Sequence, residues 1–201
     1  FSCEQYIAAA EAYMRGIERR IAAGLDPKVR SVASIFVSRW DVAVKHKVPQ
    51  QLRNRLGIAI AKRAYRTYRA TLAARRWQKL AAAGAWPQRL LWASTGTKDP
   101  DASDTLYIEA LAAPDTINTI PDKTLYAFAD HGELKGVLPV EGGDAEVVLA
   151  EFTRIGVDDA ALAAQLQREG TETFDKSWQD LMDRIASKSA TLETVDQIGA
   201  R

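Results

Sequence analysis

A short apolar run at 90–93 ends abruptly in residue types that suit an anion. Ser94, Thr95, Gly96, Thr97 and Lys98 follow it. An earlier apolar and β-branched run, 31–37, is followed in the same way by Ser38 and Arg39. Arginine offers a planar fork for phosphate oxygens, and lysine offers a compact positive charge that serine hydroxyls and backbone N–H groups can supplement. The two patterns predict phosphate ligands at two strand ends, and the candidates are Arg39, Ser94 and Lys98.

The elements around these residues alternate between helix and strand. A capping box at Ser2 and Gln5 predicts the start of a first helix, in which apolar residues at helical spacing continue to about residue 23. The same spacing of apolar residues predicts helices at 51–82 and 104–111. Strand-like runs lie between and after them, at 31–37, 90–93 and 116–120. This alternation is typical of a parallel α/β sheet, in which ligands bind outside the carboxyl ends of the strands. Asn118 and Thr119 lie near the third such end.

The last third of the chain is predicted to be helical. Helices are expected at 145–155, 159–169 and 172–186, with Gly156 and Gly170 separating them. Apolar residues at helical spacing in the last of these predict a core stripe, which comprises Phe174, Trp178, Leu181 and Ile185. Residues 189–201 lack periodicity and are expected to form a flexible tail.

Composition indicates an ordinary globular chain. The 201 residues are 47% hydrophobic and 26% charged, and the single cysteine, Cys3, cannot form an internal disulfide. The sequence has no apolar run near the ~18 residues of a membrane helix and no basic leader with an apolar core. We therefore expect a cytoplasmic protein without a membrane partner. His46 and His131 have no cysteine or histidine at ligand spacing, so no metal site is expected.

Charge is distributed unevenly along the chain. Of the 27 lysines and arginines, 19 lie in residues 1–100, and 20 of the 26 aspartates and glutamates lie in residues 101–201. One interpretation is a nucleic-acid-binding half centred on the basic helix at 51–82. The other is that the two halves of one domain face each other, and this second interpretation is favoured.

Three ordered blocks resemble a known family. "SVASIFVSRWD", "PQRLLWASTGTKDP" and "LYIEALAAPDTINTIPDKTL" are similar to the C-terminal half of a transaldolase, in the bacterial branch whose seventh strand reads Trp-Ala-Ser-Thr-Gly-x-Lys. The opening Phe1-Ser2 resembles the end of that family's fifth strand. The resemblance extends from Phe1 to about Lys188, and the chain is therefore expected to be a fragment.

The resemblance implies a fold and an activity. The fold is α/β, and residues 1–188 are expected to form about strands six to eight of a (β/α)8 barrel with additional C-terminal helices. A transaldolase of the pentose phosphate pathway transfers a dihydroxyacetone unit from a ketose phosphate to an aldose phosphate through a Schiff base on lysine. Neither a cofactor nor a metal takes part, and the expected partners are sugar phosphates and not nucleic acid.

The resemblance also assigns residues. Ser34 and Phe36 match the sixth-strand residues that line the active site, and Arg39 matches a phosphate ligand. Ser94 matches a serine at the phosphate, and Lys98 takes the place of an arginine that other branches use. The Schiff-base lysine and the acid and base carboxylates belong to strands upstream of Phe1. No catalytic residue is therefore expected in this chain, which should be inactive alone.

Two alternatives remain at this point. Another Schiff-base sugar-phosphate aldolase of the same barrel type fits the same residues. A basic helical module that binds nucleic acid or a protein is the other. The acceptor sugar, the oligomeric state and the possibility of a fused isomerase are left open.

Overall fold

The described part of the chain contains eight α-helices and three short β-strands. The computed structural model describes the backbone of residues 1–199 and the side chains of residues 1–191. The helices are α1 (Cys3–Ala22), α2 (Ser38–Val44), α3 (Leu56–Ala73), α4 (Arg75–Ala82), α5 (Leu106–Ala110), α6 (Asp122–His131), α7 (Ala145–Arg154) and α8 (Asp159–Gly199). The strands are β1 (Ser31–Phe36), β2 (Gln88–Ala93) and β3 (Ile117–Asn118), and a 3-10 turn spans Gln50–Leu52. The chain divides into two compact units, Phe1–Leu162 and Ala163–Arg201.

The three strands form one parallel sheet in the order β1-β2-β3. Ser31 lies opposite Gln88 and Phe36 lies opposite Ala93, so β1 and β2 begin and end at the same level. The predicted α/β class with a parallel sheet is therefore confirmed. This register also places the residues that follow β1 beside the residues that follow β2.

The third strand is shorter than the predicted 116–120. It pairs with β2 only through Ile117 and Asn118. Thr119 then directs both its N–H and its hydroxyl to the Trp92 carbonyl, each at 3.0 Å. Because Pro121 has no N–H to donate, the ladder does not continue past this point.

Alternation of side chains gives the sheet one covered face and one open face. Ala33 and Ile35 of β1 and Leu90 and Trp92 of β2 are buried. Their neighbours on the open face are accessible, since Ser34 is exposed and Val32 is 46% exposed. Ser34 and Phe36 share this open face, as the period of two predicts.

Two apolar clusters hold the helices against the covered face and against each other. In the larger cluster, buried side chains of α1 and α3 pack with those of the sheet. Its members are Tyr6, Ala10, Ala33, Ile35, Val37, Ala61, Ala64, Tyr65, Tyr68, Leu90, Trp92, Tyr107, Leu111 and Leu138. The smaller cluster comprises Met14, Ile17, Trp77, Leu80 and Ala85, and joins α1 to α4.

The single long helix predicted for 51–82 is wrong. Asn54 has a φ of 60°, so the helix starts only at Leu56. Ala74 is extended, with φ −67° and ψ 142°, and separates α3 from α4. The break allows the side chains of Trp77 and Leu80 to pack in the smaller apolar cluster. Burial of these two side chains offsets the lost helical hydrogen bonds.

The two helices predicted between 159 and 186 are one helix. Gly170 does not interrupt α8, because a glycine inside a helix costs only about 1 kcal/mol relative to alanine. The predicted flexible tail at 189–201 is helical as far as Gly199, and residues 200–201 lie outside the described residues. The flexibility of the tail stays a prediction. No helix in the described range is both long and apolar enough to cross a membrane.

The apolar stripe of α8 has the predicted helical spacing but not the predicted burial. Phe174 and Trp178 are 63% and 64% exposed, and Leu181 and Ile185 are also exposed. The described part of the second unit is a single helix, which offers the stripe no second element to pack on. The prediction of a core stripe is therefore wrong for these residues.

Ion pairs between the two halves of the sequence account for the uneven charge. Lys62 lies 2.6 Å from Asp144, and Arg63 bridges Glu146 and Asp159, both at 2.8 Å. Further pairs join Arg55 to Glu151, Arg66 to Glu146 and Arg69 to Asp115. Hydrogen bonds from Arg63 hold the pKa of Glu146 below its ordinary value. The favoured interpretation, in which a basic half faces an acidic half, is confirmed for these side chains.

Candidate functional site

The junction after β1 places Arg39 on a helix rather than in a loop. The N–H of Val37 donates to the Ala93 carbonyl at 2.9 Å, and the N–H of Ser38 donates to the Ser94 carbonyl at 3.0 Å. Helix α2 begins at Ser38, so Arg39 is its second residue. The backbone that precedes Arg39 is therefore joined directly to the segment that carries Ser94.

Aromatic rings support the Arg39 side chain. Its guanidinium carbon lies 5.0 Å from the centre of the Phe36 ring, within the range of a cation–π contact. Phe36 in turn stacks on Phe1 at a centroid distance of 5.2 Å. The Phe36 ring, which lies on the same face of β1 as Ser34, therefore holds the Arg39 guanidinium near the carboxyl end of the strand.

The turn after β2 draws the second and third strand ends together. Ser94 has a φ of 55°, a left-handed conformation that reverses the chain immediately after the strand. Thr95 is completely buried, and its hydroxyl donates to Asn118 Oδ1 at 2.7 Å. All three strand ends are therefore held together by hydrogen bonds, through Ser38–Ser94 on one side and Thr95–Asn118 on the other.

The Lys98 amine lies toward the start of α6. A Cβ placed on Gly96 would lie 3.7 Å from Lys98 Nζ, 3.7 Å from Thr124 Oγ1 and 3.2 Å from Pro121 Cγ. The amine thus stands beside the first turn of α6, whereas Arg39 stands at the β1 junction. That Arg39, Ser94 and Lys98 converge on one phosphate stays a prediction.

Asp99 anchors the loop that carries Lys98. Its carboxylate accepts a hydrogen bond from Asn54 Nδ2 at 2.9 Å and another from Lys45 Nζ at 3.2 Å. These bonds, that of Asn54 first, hold the pKa of Asp99 below its ordinary value. The loop is therefore tied to the segment between α2 and α3.

Asp41 is a buried carboxyl that the sequence reasoning did not identify. Its Oδ1 accepts the N–H groups of Leu56 and Gly57 at 2.9 and 3.2 Å, and its Oδ2 accepts the Tyr107 hydroxyl at 2.8 Å. Burial raises the pKa of Asp41 to about 6, although these three hydrogen bonds oppose the rise. The only signal in the sequence is an aspartate two residues after the candidate arginine.

His131 is the last residue of α6. Its ring nitrogens lie 2.9 Å from Asp104 and 3.2 Å from Asp130. Hydrogen bonds to Asp104 and then Asp130 raise the pKa of His131 above its ordinary value. The contact with Asp104 links the end of α6 to the loop that precedes α5.

Comparison with known proteins identifies the family. The family described as Transaldolase/Fructose-6-phosphate aldolase matches residues 1–185. The chain belongs to this family. A transaldolase of Parafrankia sp. (strain EAN1pec) is 46% identical over 194 residues, which is 92% of this chain and 53% of that protein. The transaldolase of Thiobacillus denitrificans (strain ATCC 25259 / T1) is 45% identical over 193 residues, 92% of this chain and 54% of that protein.

A third relative covers the whole chain. The transaldolase of Mycolicibacterium paratuberculosis (strain ATCC BAA-968 / K-10) is 42% identical over 210 residues, 100% of this chain and 54% of that protein. The chain spans about half the length of the curated relatives it matches. The predicted resemblance to a transaldolase is confirmed, and the activity of a complete enzyme is taken up as a proposal below.

Within this transaldolase-family chain, the candidate cations differ from those of α3. Most arginines of α3 and its N-terminus are paired with carboxylates. Neither Arg39 nor Lys98 forms an ion pair with any carboxylate whose side chain lies within residues 1–191. Both therefore keep a net positive charge at the carboxyl ends of the strands.

Proposed function

We propose that this chain is the phosphate-binding part of a transaldolase. The complete enzyme transfers a dihydroxyacetone unit from a ketose phosphate to an aldose phosphate in the pentose phosphate pathway of the cytoplasm. One observation carries the proposal: Arg39 follows β1, Ser94 and Lys98 follow the adjacent parallel strand β2, and neither cation forms an ion pair with a carboxylate whose side chain lies within residues 1–191. The arginines of α3 and of the residue that precedes it are, by contrast, paired with carboxylates.

The sheet is proposed to be about strands six to eight of a (β/α)8 barrel. Three features support this proposal: the strands are parallel and sequential, the helices cover one face, and Ser34 and Phe36 lie on the open face. In a closed barrel the open face becomes the interior, and loops at the carboxyl ends of the strands form the active site. Ser34 and Phe36 would then line that site beside the phosphate ligands.

Each proposed phosphate ligand has a distinct role. The guanidinium of Arg39 can donate two parallel N–H bonds to two phosphate oxygens, and the Phe36 ring limits the orientations that it adopts. Ser94 offers a hydroxyl at the turn. Lys98 adds a point charge from the α6 side. Such contacts hold the phosphorylated end of donor and acceptor alike, and leave the carbonyl end for chemistry.

Carbon–carbon cleavage is proposed to use a lysine on another strand of the complete enzyme. The lysine amine adds to the ketose carbonyl and water is lost, which gives an iminium that withdraws the electrons of the breaking bond. This chain contributes substrate binding to that step and is expected to be inactive alone. Neither a metal nor a cofactor is needed.

A Schiff-base aldolase is the second candidate, because the family description itself includes fructose-6-phosphate aldolase. The two reactions share the iminium and differ in the fate of the dihydroxyacetone unit. A nucleic-acid-binding module is less well supported, since the arginines of α3 that such a surface requires are already paired with acidic side chains.

Binding of fructose 6-phosphate to the 201-residue chain tests the proposal. Fructose 6-phosphate should bind, and unphosphorylated fructose should bind far more weakly. Arg39→Ala should raise the Kd for fructose 6-phosphate by about thirtyfold to a thousandfold, because a bidentate, charge-assisted contact is lost. Arg39→Lys should recover only part of the affinity, because a point charge does not reproduce the fork.

Arg30 provides the matched control. It precedes β1, as Arg39 follows it, and its guanidinium carbon lies 4.7 Å from the centre of the Trp86 ring. Arg30→Ala removes the same charge from the opposite end of the strand and should change the Kd by less than about twofold, within the usual range of distant sites. Equal losses in both variants would refute a specific phosphate site.

Borohydride trapping tests the assignment of the amine. The chain, mixed with fructose 6-phosphate and reduced, should show no mass-shifted lysine. A reduced adduct on Lys98 or any other lysine would refute the proposal that the Schiff base forms on another strand of the complete enzyme.

A further inference from the structure

Arg39 lies on a helix that is too short to hold itself in place. Helix α2 spans seven residues, and Val37 at its N-terminus provides no side-chain cap. Isolated helices of this length are marginal in water, so the position of α2 depends on contacts with other elements. Those contacts therefore decide where the Arg39 guanidinium lies.

Backbone hydrogen bonds from Val37 and Ser38 to the end of β2 hold the chain just before Arg39. On the C-terminal side, Asp41 reaches two other elements. It accepts the first N–H groups of α3 from Leu56 and Gly57, and the Tyr107 hydroxyl of α5. Gly57 leaves room for this contact, because a Cβ there would lie 2.7 Å from Asp41 Oδ2.

Tyr107 connects this carboxyl to the segment that follows Lys98. Helix α5 comes directly after the loop that Asp99 anchors, and Asp99 itself binds Lys45 at the C-terminal end of α2. Two contacts, Asp41–Tyr107 and Lys45–Asp99, thus join α2 to the 99–107 segment. A shift of that segment would be transmitted to Arg39.

An ionised carboxyl at this place carries a cost in stability. Asp41 is 4% exposed, and burying an ionised carboxylate costs free energy that an apolar side chain would not. Its raised pKa reflects that cost. In return, Asp41 supplies directed hydrogen bonds to both α3 and α5, which an apolar side chain could not make.

We propose that Asp41, together with Tyr107, is a positioning residue that orients Arg39 toward the anion bound at Ser94 and Lys98. The inference rests on the proposed phosphate-binding role of Arg39. Neither Asp41 nor Tyr107 touches the substrate in this arrangement; both act through α2.

Tyr107→Phe is the test, because it removes one hydroxyl and leaves the ring. Tyr68→Phe is a matched control. Both rings are 1% exposed and belong to the same apolar cluster, but the Tyr68 hydroxyl donates to the Asp115 carbonyl, 3.0 Å away, and not to Asp41. Inorganic phosphate is the probe. Two quantities are measured by NMR: the Kd for phosphate, and the heteronuclear NOE of the Arg39 Nε–Hε group, assigned from its absence in Arg39→Ala.

Tyr107→Phe should raise the Kd for phosphate about threefold to tenfold, as expected for coupled neighbours, and lower the Arg39 Nε NOE. Tyr68→Phe should leave both within error, although both variants lose thermal stability. Equal changes in the two variants, or an unchanged NOE in Tyr107→Phe, would overturn the positioning role. If the unaltered chain binds no phosphate, the proposed function fails, and the NOE still decides whether Tyr107 orders Arg39.

Discussion

Asp41→Asn separates the electrostatic cost of the buried carboxyl from its hydrogen bonds. The asparagine oxygen can still accept the N–H groups of Leu56 and Gly57, which lie 2.9 and 3.2 Å from Oδ1 in the native chain. The amide does not ionise. The difference in unfolding free energy between the native chain and the variant therefore isolates the titration of one group.

The sign follows from the direction of the shift. Burial raises the pKa of Asp41 from 3.8 to about 6 in the folded chain. Between these values the folded chain binds more protons than the unfolded chain, so the contribution of Asp41 to stability is full below pH 4 and is lost as the pH rises through 6. A shift of about two pH units corresponds to about 3 kcal/mol, as an order of magnitude.

The assay is urea unfolding of both proteins by circular dichroism at pH 4, 5, 6 and 7. The unfolding free energy of the native chain minus that of the variant should fall by about 2 kcal/mol from pH 4 to pH 7. Carboxylates such as Glu146 and Asp144, whose pKa values are lowered by ion pairs, titrate equally in both proteins and cancel. Tyr107→Phe removes a hydrogen bond that favours the ionised form of Asp41. In that background the pKa of Asp41 should rise further, and the pH at which its contribution to stability is lost should be higher.

A difference that grows with pH would refute the reasoning. It would show that the three hydrogen bonds lower the pKa of Asp41 by more than burial raises it. A flat difference would show that Asp41 has the same pKa in the folded and unfolded chains.

Two further predictions concern stability. Gly57→Ala should lower the free energy of unfolding by about 1–3 kcal/mol, because the new Cβ collides with the Val37 carbonyl oxygen. Gly16→Ala in α1 is the control and should be neutral or stabilising, because a Cβ there has no neighbour within 4 Å. Equal effects in thermal unfolding would contradict the close packing at Gly57. His131, whose pKa is raised by Asp104, should contribute stability below pH 6.5 that is lost as the pH rises through its higher folded pKa. His131→Gln should abolish this pH dependence of the Tm, and His46→Gln serves as the control. An unchanged dependence of Tm on pH in His131→Gln would contradict the contact between His131 and Asp104.

Local patterns in the sequence were sufficient to predict where β1 and β2 end. The change from apolar residues to Ser94 and its neighbours marks the end of β2, and Ser38 marks the end of β1, because each pattern depends on residues adjacent in the chain. The capping box at Ser2 and Gln5 was predictable for the same reason. The uneven charge predicted contact between the two halves, since opposite charges that are abundant in one domain tend to pair.

Helix breaks were not predictable from periodicity. Ala74 is a good helix former, and nothing at that position indicates an extended backbone; the break arises because Trp77 and Leu80 pack with Met14 and Ile17, some sixty residues earlier. Gly170 shows the converse, since a residue that commonly ends helices lies inside α8. Both outcomes depend on tertiary contacts that outweigh about 1 kcal/mol of local preference.

The hydrogen bonds of Asp41 could not be predicted from the sequence, because they too depend on tertiary contacts. Its partners are 15 and 66 residues away in the chain, and they bind it only after α3 and α5 have docked on α2. A candidate phosphate ligand such as Arg39 can be predicted from its residue type at a strand end, because the chemistry of the anion dictates it. The group that we propose orients Arg39 is dictated instead by which backbone N–H groups and hydroxyls remain unpaired in the folded chain. In this protein the first turn of α3 supplies two such N–H groups, and a carboxyl that burial makes costly is the side chain that satisfies them.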